Sequence, residues 1–365
     1  MHTSDNIIKT IRKTIIGAGS IIAHNVSRKQ TISEYQGGQS MQELHLTQEW
    51  DKVFPKSDQV DHKKVTFTNH FGITLAADQY TPKKYEGKLP ALAVAGPFGA
   101  VKEQSSGLYA QTMAEKGYLT IAFDPSFTGE SGGEVRDVFS LDINTEDYQA
   151  AIDYLTNLDN VDPEKVGIIG ICGWGGISLN AAAIDPRIKA TAAVTMYDMP
   201  RVGAWGYFDK GTAEDRYESK KQIAEQRTKE YGQQDFAKAG GCYDYPAPDD
   251  QPDFVKQYSA YYKTKRGYHK RSVNSNEGWV LQSQPGWMNT KILVHPEDLK
   301  NAVLVVHGEK AHSRYMGEDT FKKLKGNNKE LVIVPGATHT DLYDGGDHDY
   351  IPFDKIDGFF KKYLA

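Results

Sequence analysis

Polar and apolar positions alternate early in the chain and then give way to short, nearly unbroken apolar runs. Residues 64–69 and 73–80 alternate with a period of two and read as strands joined at His70-Phe71-Gly72. The segments 91–96, 119–123, 165–171, 189–195, 302–307 and 331–334 are dominated by small and β-branched apolar residues between turn formers, as expected of strands buried on both faces. Helical stripes lie between them. One spans about 104–116 and is stopped by Gly117; another opens at Asn144 or Thr145 and repeats Tyr148, Ala151, Ile152, Leu155 and Leu158. A last helix follows Pro352 and turns Phe353, Ile356, Phe360 and Tyr363 inward. Strands alternating with helices predict an α/β protein with a doubly wound, mostly parallel, eight-stranded sheet, the two opening strands forming its antiparallel edge.

Two stretches break this rhythm. Residues 1–60 are polar and without sustained periodicity, and read as an arm or leader preceding a domain at 61–365. Residues 199–298, about a hundred in all, are far more than a crossover needs. They are polar, helical over 212–231 and rich in aromatics such as Trp205, Tyr207, Tyr258, Trp279 and Trp287. An inserted cap over the ends of the strands is the reading they favour, because binding elements concentrate on long loops above a rigid sheet.

Composition narrows the function. Of 365 residues, Lys and Arg number 43 against 48 Asp and Glu, a net charge of −5 without long runs of either sign, so nothing calls for nucleic acid or an anionic membrane. No apolar run is long enough to span a bilayer. Two cysteines give no disulfide framework and favour a reducing, cytoplasmic setting. Residues 9–23, basic and then briefly apolar, resemble a weak signal peptide, with export as the alternative. No cofactor motif is present, and Asp347-His348-Asp349 lacks a partner cluster and reads as a solvated loop.

The chemistry concentrates at Gly170-Ile-Cys172-Gly-Trp-Gly-Gly176, where an apolar strand ends in a small-residue turn and an alanine-rich helix starts at once. A nucleophile on such an elbow stands above the sheet at the positive end of the helix. Cys172 occupies that place, and a helix N-terminus beside a histidine is expected to lower its pKa toward neutrality. Trp174 stands where a glycine is usual; were the elbow registered two residues later, on Cys172-Gly-Trp-Gly-Gly176, a tryptophan would fill the nucleophile position. Gly129-Glu-Ser131-Gly-Gly133 is a literal Gly-x-Ser-x-Gly match, but no helix opens on it.

These segments, with Gly96-Pro-Phe-Gly-Ala-Val-Lys-Glu-Gln104, Thr195-Met-Tyr-Asp198, His307-Gly-Glu-Lys-Ala-His-Ser313 and Pro335-Gly-Ala-Thr-His339, resemble the α/β-hydrolase superfamily over roughly 60–365. The similarity is greatest to bacterial hydrolases related to dienelactone hydrolases. It implies Cys172 as nucleophile, His339 as base and the N–H groups of Phe98 and Gly173 as oxyanion hole. The superfamily places an aspartate after the strand at 302–307, where this chain has Ala311. Asp198 is the preferred acid, Glu309 the alternative and Asp341 a third choice. Lys102 and Glu103 read as a surface or capping pair, and Cys242 as a bystander. The implied activity is cleavage of an ester, lactone or thioester, with an acyltransferase or a non-catalytic ligand-binding protein as alternatives. The partner is a small acyl substrate, apolar or aromatic. Oligomeric state stays open.

Overall fold

The computed structural model describes residues 43–365. Eight strands form one sheet: β1 (Val60–Thr68), β2 (Thr74–Pro82), β3 (Leu89–Ala95), β4 (Leu119–Phe123), β5 (Val161–Ile171), β6 (Ala190–Val194), β7 (Ala302–Gly308) and β8 (Lys329–Val334). Their order is β1-β2-β4-β3-β5-β6-β7-β8. β2 is antiparallel to both β1 and β4, and every other pair is parallel. This is the mostly parallel sheet with an antiparallel edge that the apolar pattern predicts.

Successive side chains of a strand face opposite sides of the sheet, and β3 shows why both faces are covered. Ala91, Ala93 and Ala95 enter one core with α2 (Leu141–Thr156) and α3 (Gly173–Ile184). Leu92 and Val94 enter the other with α1 (Ser105–Glu115) and α10 (Phe353–Tyr363). Within the described residues, no helix is long and apolar enough to cross a membrane.

The segment between β6 and β7 carries α4 (Met199–Trp205), α5 (Ala213–Lys229), α6 (Asp253–Tyr262) and α7 (Gln284–Met288). Thr212 and Asp215 form a reciprocal capping box at the start of α5. α8 (Arg314–Lys323) and α9 (Asp341–Asp344) flank β8. The signal-like residues 9–23 lie outside the described residues, as does most of the expected arm. Its last part, 43–59, is packed: Phe54 is buried, Lys52 pairs with Asp78 at 3.0 Å, and Trp50 meets the His62 ring edge-on.

Lys102 and Glu103 overturn their reading as a surface pair. Both are fully buried, and the Lys102 ammonium lies 2.7 Å from Asp124, 2.8 Å from Glu103 and 2.7 Å from Glu130. Lys64 and Arg271 add positive charge from β1 and from the insertion, Arg271 also pairing with Asp51 at 2.8 Å. Three carboxylates therefore converge on an ammonium, which supplies the charge a cation would otherwise bring. Ser131 belongs to the same construction: its hydroxyl donates to Asp124 O at 2.7 Å and accepts from Ala76 N at 2.8 Å.

Removing one partner of a buried pair strands the rest, so Lys102→Met is expected to cost about 3–5 kcal/mol, measured by denaturant unfolding. Burial opposes the charge of Glu130, but Lys102 and Lys64 outweigh it and hold the carboxyl at about 2. Glu103 is likewise held well below the ordinary carboxylate range, burial again being outweighed by Lys102, Arg271 and Lys64. The stabilisation is thus present above the unfolded carboxylate pKa of about 4.3 and is lost as pH falls through about 2. Unfolding free energy measured between pH 7 and 2 should drop over this interval, and drop less in Lys102→Met.

Candidate active site

β5 ends at Ile171, and Cys172 takes φ 57°, ψ −124° before α3 begins at Gly173. That conformation costs a non-glycine residue roughly 1–3 kcal/mol and persists only where the surroundings impose it. They do so through close contact. A Cβ on Gly170 would come 2.6 Å from Ser178 Oγ, and one on Gly173 would come 2.6 Å from Phe98 Cβ. Trp174 does not hold the nucleophile position. Its ring is buried edge-on against Phe123 and Tyr148, at 5.7 and 5.3 Å between centroids. Gly96, at φ 99°, packs against the same turn, where a Cβ would lie 2.3 Å from Ile171 O and 2.8 Å from Trp174 Cβ. The glycine missing from the elbow is compensated on the neighbouring strand.

The Cys172 thiol meets the backbone N–H groups of Phe98 and Gly173 and the hydroxyl of Tyr343. Burial pushes its pKa up, and these three neighbours only partly offset that. The expected fall toward neutrality is therefore reversed: desolvation of a thiolate in this dry site exceeds the help from the helix N-terminus.

His339 follows β8 and is fully buried. Its Nδ1 lies 2.7 Å from Ser313 Oγ and 2.9 Å from Thr195 Oγ1, and its Nε2 lies 3.0 Å from Tyr343 Oη. Burial, reinforced by His312 and His307 nearby, pulls its pKa well below the ordinary imidazole value. Both effects favour the neutral imidazole over the imidazolium.

No expected acid reaches it. Asp198 caps α4, its carboxylate accepting from Arg201 N at 3.0 Å; burial pushes its pKa up, with Arg201 opposing. Glu309 accepts from Gly336 N at 2.8 Å on the exterior, and Asp341 accepts from Thr338 N and Oγ1 at 2.8 and 2.7 Å. The acid's place is taken by the Ser313 and Thr195 hydroxyls, which orient the ring without bringing a second charge into a dry pocket. Sequence reasoning quoted both residues within larger segments but gave them no role, because hydroxyls at that position are not an acid's signature. Tyr343 carried a findable signal: it stands four residues after His339, the spacing of one helical face.

Above the thiol lies a cavity of about 240 Å³. Phe98, Tyr343 and Cys172 line its floor, and Met199, Trp279 and Trp287 are among the residues that the insertion contributes to its walls. None of its lining side chains is charged. Cys242, read from the sequence as a bystander, faces the same cavity.

The family model for the X-Pro dipeptidyl-peptidase (S15 family) matches residues 72–341, which include Cys172 and His339. The chain belongs to the X-Pro dipeptidyl-peptidase (S15) family. It is 50% identical over 350 residues to protein PA2218 of Pseudomonas aeruginosa, covering 94% of this chain and 92% of that one. The crystal structure of PA2218 superposes with a TM-score of 0.84 at 51% identity over 88% of this chain and 99% of its own. The α/β hydrolase GrgF from Penicillium sp. sh18 shares the fold, with a TM-score of 0.67 at 21% identity, covering 84% of this chain and 99% of that one. A shorter match, 30% identical over 136 residues, reaches the thiohydrolase aneE of Aspergillus aculeatus, covering 37% of this chain and 43% of that one. The S15 chain described here is thus an α/β hydrolase by fold and by family.

With its thiol buried and its pKa raised, Cys172 should react with iodoacetamide more slowly at pH 7 than a free cysteine. Its rate should keep climbing above pH 9. Peptide mapping of alkylation against pH reads this directly, and a plateau below pH 8 would contradict it.

Proposed function

We propose that this protein is a thiol-dependent acyl hydrolase that cleaves an ester, lactone or thioester through an acyl-enzyme on Cys172. The observation that carries the reading is the thiol on its strained elbow, facing two backbone N–H groups. Phe98 and Gly173 N–H would hold the oxyanion as Cys172 attacks, a contribution that elsewhere amounts to roughly 10²–10³-fold per donor. His339 is the base. With thiol and imidazole both neutral at rest, the proton leaves the sulfur during attack rather than before it. The likeness to a thiohydrolase over part of the chain favours thioesters among the possible substrates.

The neutral cavity argues for a neutral acyl group, apolar or ring-bearing and of modest size. A dipeptidyl-peptidase substrate carries a free amino group, and an ammonium buried without a carboxylate partner is costly. The lining offers hydroxyls, an amide and aromatic faces but no acidic side chain.

Acid quench after mixing with p-nitrophenyl phenylacetate, followed by intact mass and peptide mapping, tests the reading. An acyl group on Cys172, absent in Cys172→Ala, is the expected result; an adduct on another residue, or none with any activated ester or thioester, would refute it. Among p-nitrophenyl and p-nitroanilide probes, neutral aryl-acyl groups should exceed Gly-Pro and succinyl groups by at least 100-fold in kcat/KM. The acidic limb of kcat/KM should lie below the ordinary imidazole value of about 6.5, because the base works only when unprotonated and its pKa is lowered. Asp198→Asn should leave kcat/KM within about twofold, whereas Thr195→Val combined with Ser313→Ala should lower it roughly 10–100-fold by releasing the ring.

A further inference from the structure

We propose that Tyr343 is the proton carrier between Cys172 and His339. The proposal rests on the acyl-enzyme reading above and adds a catalytic residue to it. The Tyr343 hydroxyl stands beside the Cys172 thiol at the cavity that both line, and lies 3.0 Å from His339 Nε2 on its other side. No hydrogen bond joins thiol and imidazole directly among the described residues. His339 Nδ1 is already engaged by Ser313 and Thr195, so Nε2 is the nitrogen left to act as base, and it faces the phenol.

The phenol is held rigidly. Its ring packs edge-on against His339 and Tyr261, at 5.3 and 5.1 Å between centroids, and is fully buried. α9, which carries it, is gripped by the insertion: Arg266 Nε donates to Asp344 at 2.6 Å, and its terminal nitrogen donates to Thr340 O at 3.3 Å. The other tyrosine hydroxyls at the cavity are engaged elsewhere, Tyr197 bonding to His312 and grouping with Tyr207 and Tyr258. The titratable groups facing Tyr343 are Cys172, His339, Tyr258, Tyr261 and Tyr262, with Arg266 and Asp344 beyond its helix.

The step balances without an external reagent. The sulfur pair forms the S–C bond as the S–H bond breaks; the thiol proton passes to Tyr343 Oη, and the phenol's own proton passes to His339 Nε2. The carbonyl π pair moves onto the oxygen held by Phe98 and Gly173 N–H. On collapse the same path runs backwards, and His339 returns the proton through Tyr343 to the departing alkoxide or thiolate. Burial forbids a free phenolate, so the two transfers are concerted.

Stopped-flow acylation by p-nitrophenyl phenylacetate in wild type and Tyr343→Phe tests the relay. At pH 7 the variant should acylate roughly 100-fold more slowly, within the range of general acid–base contributions. The deficit should shrink about tenfold per pH unit as the thiol ionises by itself, since a thiolate needs no carrier. A wild-type rate at pH 7, or the same deficit at every pH, would overturn the proposal, the latter marking a purely structural role. Independently of any variant, wild-type acylation in H2O–D2O mixtures should show the curvature of two protons in flight, and a linear dependence would overturn the relay. Absence of an acyl-enzyme in wild type would overturn the acyl-enzyme reading and the relay with it; an acyl-enzyme that forms in Tyr343→Phe at full rate overturns the relay alone.

Discussion

The buried ammonium of Lys102 is the interaction on which the rest of the site depends. Its own backbone N–H donates to Asp124 Oδ1 at 2.8 Å while its side chain reaches Asp124 Oδ2, so one carboxylate clamps both ends of the residue. Lys102 lies in the loop after β3, four positions beyond Phe98, whose N–H faces the thiol. The loop after β4 closes over the same carboxylate, with Glu130 N donating to Asp124 at 2.8 Å and Gly129 leaving no room for a Cβ beside it. Arg271 from the insertion and Thr47 N from the packed N-terminal segment end on the same anionic group. Buried ion pairs are weak evidence of net stability but strong devices for geometry, because no alternative arrangement satisfies all the charges. With Lys64 of β1, five separate stretches of chain meet at this point.

Desolvation sets the chemistry of the thiol and the imidazole. It raises the thiol and lowers the imidazole, which favours the neutral pair over a thiolate–imidazolium. A carboxylate beside His339 Nδ1 would have to be buried at a cost or would lift the imidazole pKa by its charge. Two hydroxyls fix the ring's direction without either consequence. The site is consistent throughout: neutral nucleophile, neutral base, neutral orienting groups and a neutral cavity. Charge enters only when an oxyanion forms, and the two backbone donors are already aimed where it forms.

The fold was almost wholly legible in the chain, for physical reasons that apply element by element. The run 302–306 is apolar because β7 is buried on both faces, and Gln104 stands at the start of α1, where its side chain accepts from Val101 N at 2.8 Å and closes the preceding turn. Cys172 and His339 were legible because each sits at a strand end with a distinctive turn. What failed was everything decided by contacts between distant segments. Lys102-Glu103 reads as surface because charged pairs usually are, and only the approach of Asp124 and Glu130, some twenty to thirty positions away, makes burial tolerable. Asp198 follows its strand as an acid should, yet α4 begins at the next residue and takes the carboxylate for its cap. Cys242 lies in a polar loop whose path back over the sheet no local pattern reveals.

Trp174 shows how such a distant contact can also rescue a local anomaly. A tryptophan where the elbow favours glycine should crowd the turn, and on sequence alone it argued against catalysis. The turn survives because the indole leaves the elbow and fills a slot between Phe123 and Tyr148, in the core on one face of the sheet. Gly96 on β3's exit supplies the clearance that the missing glycine would have given. The constraint is one of volume, and the exit of β3 shares it with the start of α3: a Cβ at Gly96 would meet both Ile171 O and Trp174 Cβ. Conformity to the elbow motif thus belongs to the pair Gly96 and Trp174 together, and a motif read along one strand sees half of it.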